Sequence, residues 1–107
     1  MKHFFDIGEI NAARQDATKL YQEFLRVPAM SAGLYVLPAG APDPQRPHGE
    51  DELYYVVRGR ARMRVGVEEQ NIRPGSVVFV EAGLEHHFYD IAEELVVVVF
   101  FAPAESV

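Results

Sequence analysis

"PHGEDELYYVV", residues 47–57, sets one histidine and three acids directly ahead of a run that reads as a buried β-strand. In an extended chain successive side chains alternate between faces, so His48, Glu50 and Glu52 project to the same side. Imidazole and carboxylate donors gathered on one face are the beginning of a metal site.

Working outward, strand-like runs recur at short intervals. Residues 52–57, 60–67, 77–80, 86–89 and 95–101 are apolar or alternate, and Gly59, Gly66, Pro74-Gly75 and Gly83 separate them as turn residues. Upstream, "YQEFLRV" stops at Pro28 and "MSAGLYVL" at Pro38, and residues 38–47 hold four of the seven prolines, which makes that segment a loop. Near the start, Asp6 and Glu9 have the spacing of a helix-capping pair, and Ile10, Ala13, Ala17 and Leu20 follow at helical intervals. The pattern predicts an all-β sandwich or barrel with a short N-terminal helix. It predicts one domain over residues 1–107, an arm with the helix at 1–20 and the barrel at 21–107.

Composition narrows the function. With 16 acids against 10 Lys and Arg, a net charge of -6 argues against a phosphate-tracking nucleic-acid surface. Arg58, Arg60, Arg62 and Arg64 do share one parity, but Ala61, Met63 and Val65 take the other, which is the pattern of a solvated outer strand face. No cysteine is present, so any metal must sit on imidazole, carboxylate, amide or water. The opening "MKHFFDIGEI" lacks the apolar core of a secretory signal, and the apolar run at 95–102 is far short of the roughly 20 residues of a membrane span. A cytoplasmic protein with no membrane partner is the expectation.

Fixed spacings from Gly40 to Asp90 select among the β architectures, and there the sequence resembles the cupin family of small double-stranded β-helix, jelly-roll-like barrels. The family's first motif is a glycine, five residues, His-x-His, three or four residues, a glutamate, six residues and a glycine. Gly40, Arg46, His48, Glu52 and Gly59 fall on those positions. The second motif is a glycine, five residues, Pro-x-Gly, two residues, a histidine, three residues and an asparagine. Gly75, Glu81-Ala82-Gly83, His86 and Asp90 match it, with Glu81 for the proline and Asp90 for the asparagine.

The resemblance implies a barrel mouth that holds a divalent metal on three histidines and one glutamate. Here Arg46 takes the first histidine position, and a guanidinium has no lone pair to give a cation. What is left is His48, Glu52 and His86, a two-His, one-carboxylate set of the kind that leaves open positions on a metal such as Fe, Mn, Zn or Ni. Gln45 or Glu50 can complete the shell. The alternative is a polar pocket in which the histidines only hydrogen-bond and Glu52 pairs with Arg46. His87 has the opposite parity to His86 and reads as a surface residue, and His3 lies near the terminus. Tyr54, Phe79 and Phe88 line a substrate pocket if they share the inward face, and are plain core otherwise. Arg46 at the mouth can clamp a carboxylate or pair with Glu50 or Asp51.

Three functions fit: a metal-dependent enzyme on a small organic acid or carbonyl compound (a dioxygenase, isomerase or decarboxylase), a non-catalytic small-molecule-binding module, and a structural barrel needing neither metal nor pocket. Retention of His48, Glu52 and His86 disfavours the last. A homodimer is also expected, because "LVVVVFFAP" is apolar on both parities and one barrel wall buries a single face. Either Val97, Val99 and Phe101 or Val96, Val98 and Phe100 should then meet a second subunit, or else an N-terminal segment.

Overall fold

Exposure alternates strictly along the strand Asp51–Arg58: Glu52, Tyr54 and Val56 are buried, while Asp51, Leu53, Tyr55 and Val57 are exposed. This wall carries the acid of the first motif into the barrel and turns its apolar neighbours outward. The computed structural model describes residues 1–14 and 18–106. In chain order the elements are α1 Ile7–Ala12, β1 Tyr21–Val27, β2 Met30–Leu37, β3 Asp51–Arg58, β4 Ala61–Val65, β5 Glu68–Ile72, β6 Val77–Val80, β7 His86–Tyr89 and β8 Leu95–Ala102. Strands β1-β2-β8-β3-β6 form one antiparallel sheet and β5-β4-β7 a second. No helix among the described residues is long and apolar enough to cross a membrane.

The inner faces of the two sheets share one core. Leu37, Tyr54, Val56, Met63, Phe88, Leu95, Val97, Val99 and Phe101 meet in it. The opposite parity of β8 is also buried, but within the same chain: Val96 and Val98 pack with Leu34 and Val36 beneath Ile7 and Ile10 of α1, Phe24 of β1 and Phe100. Of the two occupants expected for the second β8 face, an N-terminal segment or a second subunit, the N-terminal segment is the one that covers it. The odd set is barrel core and the even set is covered by the N-terminal arm.

Other boundaries shift for local reasons. The Asp6 side chain accepts from Glu9 N at 2.9 Å as the capping pair requires, yet α1 ends at Ala12. Ala17 lies outside the described residues. The expected helical position Leu20 instead gives its carbonyl to Val36 N, extending the sheet. The run at 60–67 is split by a turn at Gly66, and β5 follows it, unmarked in the sequence because Glu68, Glu69, Gln70 and Asn71 are all exposed. On β4 the alternation holds, with Ala61 and Met63 buried and the arginines outside.

Two glycines are required by close approach. At Gly59, φ is +96° and a Cβ would lie 2.3 Å from the Glu94 carbonyl oxygen, which accounts for the last glycine of the first motif. At Gly33 a Cβ would lie 2.2 Å from the Tyr21 ring, which crosses directly over the β2 backbone.

Replacing Ile7 and Ile10 together by Ala should lower unfolding free energy by about 2 kcal/mol, since each covers part of the Val96 and Val98 surface. Urea unfolding monitored by circular dichroism measures it, and an unchanged midpoint would show that α1 contributes nothing to covering β8. Gly33→Ala should cost about 1–3 kcal/mol by forcing the Tyr21 ring aside.

Candidate metal centre

Three elements deliver the donors. His48 comes from the proline-rich loop ahead of β3, Glu52 is the second residue of β3, and His86 is the first residue of β7. One ligand-type atom from each lies within 4.8 Å of the other two. Glu52 and His86 are buried, at 2% and 5% exposed, and His48 is half-buried at the rim.

A hydrogen bond aims one imidazole and a carboxylate contact aims the other. His86 Nδ1 lies 2.8 Å from the Leu84 carbonyl, which can only accept, so the Nδ1 proton is committed there and Nε2 faces the centre. His48 Nδ1 lies 3.3 Å from Glu105 Oε2, leaving its Nε2 toward Glu52 at 3.9 Å. An acceptor that fixes one ring nitrogen while the other points inward is the arrangement found behind metal-bound histidines. The His48 ring is also held edge-on to Phe101, with centroids 5.0 Å apart.

The centre is rich in lone pairs and poor in protons. The Tyr54 hydroxyl, with one proton to donate, lies 2.7 Å from Gln45 Oε1, 2.8 Å from Glu52 Oε1 and 3.0 Å from His86 Nε2. Glu52 Oε2 is a further 3.1 Å from His86 Nε2, and Gln45 Oε1 is 3.2 Å from the same nitrogen. The Gln45 amide is oriented by its own donor, since Nε2 gives a hydrogen bond to Asp43 Oδ2 at 2.6 Å. So many acceptors facing one point require a cation there, a proton or a metal. The titration of His86 reflects that demand: burial opposes its charge, but the Glu52 carboxylate and Leu84 carbonyl outweigh burial and raise its pKa above the ordinary histidine value. Burial, helped by Glu52, holds the Tyr54 phenol far above its usual range, so it remains a donor. Burial also raises the Glu105 carboxyl, against the opposing pull of His48.

Beside the donors lies a cavity of about 250 Å³ walled by Tyr35, Val99 and Phe101, with Arg46, His48 and Glu105 at its polar side. A larger cavity, about 650 Å³, opens between Arg60, Arg62 and Arg73. That one is lined by the start of β4, the end of β5 and the loops beside them, and none of the three donors lines it.

The remaining expected residues divide. Gln45 is drawn into the centre. Glu50 is buried but stays outside the donor group: its Oε2 accepts from Ser106 Oγ at 2.9 Å and its Oε1 has no partner. Arg46 is exposed at the cavity wall and makes no ion pair among the described residues, with Glu52, Glu50 or Asp51. Tyr54 is at the centre itself. Phe88 is core, packed edge-on to Tyr54 at 5.3 Å, and does not line the cavity. Phe79 is 59% exposed, because Val80 takes the inward parity of β6 and Phe79 the outward one. His87 is exposed, as its parity requires.

Two residues that the motif spacings do not mark hold the site together. Asp43 receives Tyr35 OH, Gln45 Nε2 and the Phe88 backbone N–H. An acid between Pro42 and Pro44 was its one sequence signal. Glu105 reaches His48 from the C-terminal tail, fastened by Glu105 N to Ser31 Oγ and by Arg26 to the Glu105 carbonyl. Nothing in the local sequence marks it.

Comparison with known proteins gives the family and the fold. The family profile described as a cupin domain matches residues 33–102. An uncharacterised protein of Streptomyces coelicolor is 48% identical over 102 residues, 95% of this chain and 97% of that one. The crystal structure of TT1209 from Thermus thermophilus superposes with a TM-score of 0.77 at 28% identity, covering 94% of this chain and 97% of that one. KdgF from a Halomonas species superposes with a TM-score of 0.79 over 96% and 94% of the two chains, a likeness of fold at 21% identity. With its motif glycines, inward Glu52 and paired histidines set in that barrel, this chain belongs to the cupin family.

Proposed function

We propose that this cupin holds a divalent metal ion on His48, Glu52 and His86, with the Gln45 amide oxygen as a fourth donor, and acts on a small organic acid or carbonyl compound in the adjoining cavity. The observation that carries the reading is the excess of acceptors: Glu52, Gln45 and the inward nitrogens of both histidines face one point, and apart from the proton that a charged His86 carries, only Tyr54 has one to share. A bound divalent ion supplies Lewis-acid polarisation of a ligand oxygen.

The chain's own residues do the rest. Tyr35, Val99 and Phe101 give the cavity an apolar wall, and at about 250 Å³ it admits only a small molecule. Arg46, with no ion pair of its own among the described residues, offers two parallel N–H donors to a carboxylate at the wall. Tyr54 donates a hydrogen bond at the centre, and Glu105 keeps the His48 ring in register.

Metal analysis of the purified protein tests the donor set. His48→Ala, His86→Ala and Glu52→Gln should each lower metal content at least about tenfold, while His87→Ala and Glu50→Gln retain it. Equal loss in all five would remove the assignment. Gln45→Ala should weaken affinity and Arg46→Ala should not, because the amide faces the centre and the guanidinium does not. For the cavity, Arg46→Ala with metal content intact should weaken binding of small carboxylates about tenfold, read by calorimetry. Oxygen uptake, isomerisation and decarboxylation assays with added Fe, Mn, Zn or Ni then separate the reaction classes. Metal present at 100 times its dissociation constant should stabilise the fold by about 2.7 kcal/mol, an increment that a chelator abolishes.

A further inference from the structure

The cavity of about 650 Å³ has no part in the metal centre, and it shares no lining residue with the smaller cavity beside the donors. Arg60 and Arg62 line it at the start of β4, Asn71 and Arg73 at the end of β5, Ser76 ahead of β6 and Asp90 just past β7. Because β7 begins with His86, Asp90 stands at the opposite end of that strand from the histidine donor. Register crowds the cations there. Arg60 and Arg73 adjoin the last pair of the β4-β5 ladder, Ala61 opposite Ile72, and Arg62 lies opposite Asn71 in the pair before it. Like charges set side by side across a ladder repel unless an anion lies between them.

Three guanidiniums against the single carboxylate of Asp90 leave this wall positive, in a chain whose net charge is -6. Its neighbours offset little of that charge. Glu93 lies 3.8 Å from Arg60 Nε, but the two side chains are 62% and 63% exposed, and such a contact is weak in water. Arg62 gives its Nε–H to the Tyr89 hydroxyl at 3.0 Å, a neutral partner that donates in turn to Glu69. Arg73 makes no ion pair among the described residues. Ser76 Oγ accepts the Arg73 backbone N–H at 3.0 Å, which leaves the hydroxyl proton to be given, and the Asn71 amide carries two more donors.

We propose that this cavity is a second ligand site, independent of the metal centre, which binds a small organic molecule through a phosphate group held by Arg60, Arg62 and Arg73. Guanidinium and phosphate make charge-assisted hydrogen bonds, the strong class. The three side chains start from three separate backbone positions, and a phosphate presents three oxygens out of one plane to meet them. A carboxylate presents two in one plane. The volume falls within the about 300–1,000 Å³ of small-ligand sites, so the phosphate is one end of a larger molecule.

Calorimetric titration of the full-length protein with glycerol phosphate at low salt tests it. The wild type should bind one molecule per chain saturably. Arg60→Ala and Arg73→Ala, at exposed positions, should each weaken binding about tenfold with an unchanged circular dichroism spectrum. Arg64→Ala should not weaken it, because Arg64 is an exposed arginine on the same face of β4 that does not line the cavity. Glu52→Gln, which removes a donor of the metal centre, should bind glycerol phosphate as the wild type does. Citrate should bind at least about tenfold more weakly than glycerol phosphate. A wild type with no saturable binding in the millimolar range overturns the proposal, as does full binding by both Arg60→Ala and Arg73→Ala. An equal loss in Arg64→Ala overturns it too, by reducing the effect to general surface charge. Loss confined to Glu52→Gln would put the anion on the metal centre and overturn the second site, and citrate binding as tight as glycerol phosphate would overturn the assignment to phosphate.

Discussion

A carboxylate inside an apolar core is the constraint on which the site depends. Glu52 is 2% exposed and sits between inward neighbours of β3 that belong to the barrel interior. An ion removed from water costs several kcal/mol unless countercharge and hydrogen bonds offset it. Each neighbour of Glu52 acts in that sense: Tyr54 donates to one oxygen, His86 stands beside the other, and the His48 rim closes the approach. Those neighbours are in turn fixed from behind, His86 by Leu84, Gln45 by Asp43 and His48 by Glu105. The result is a shell whose inward atoms are nearly all acceptors, an arrangement able to hold positive charge.

The same strand explains the division of the sheet's outer face. Alternation that sends Glu52, Tyr54 and Val56 inward necessarily sends Leu53, Tyr55 and Val57 outward. On β8 both parities are buried, because α1 and Phe24 cover one and the barrel interior takes the other. Among the described residues the covering side chains of the arm pack over β2 and β8, and Leu53, Tyr55 and Val57 of β3 are exposed. Site and surface are therefore two consequences of one alternating segment.

Asp43 and Glu105 show how a small barrel rigidifies its mouth. Asp43 ties the loop ahead of β3 to Tyr35 of β2 and to the β7 backbone, so the loop carrying Gln45 and His48 is braced on two strands. Glu105 brings the C-terminal tail across to His48, while Ser106 closes on Glu50. Donors carried on a loop gain from such outside support the fixed geometry that strands have by construction.

Read alone, the sequence determined the all-β class, the strand cores and the outward placement of His87, and its resemblance to the cupin motifs singled out His48, Glu52 and His86, which the fold brings close to one another. The first three follow from period-two alternation, a property of the chain itself, and the last from the match to a known family's motif spacing. The helix cap at Asp6 was legible for the same reason, being a contact between residues three apart. Tertiary structure decided the rest. Counting residues put Arg46 at the first-histidine position, but spacing in a proline-rich loop does not specify side-chain direction, and Asp43 and Tyr54 draw the Gln45 amide inward instead. Phe79 had no sequence mark distinguishing the two faces of β6, since Val77, Val78, Phe79 and Val80 are all apolar. β5 was hidden because its edge position leaves four polar residues in water. Glu105, 57 positions beyond His48, becomes its partner only after β8 has crossed the sheet, and no local pattern encodes a contact that the path of the folded backbone creates.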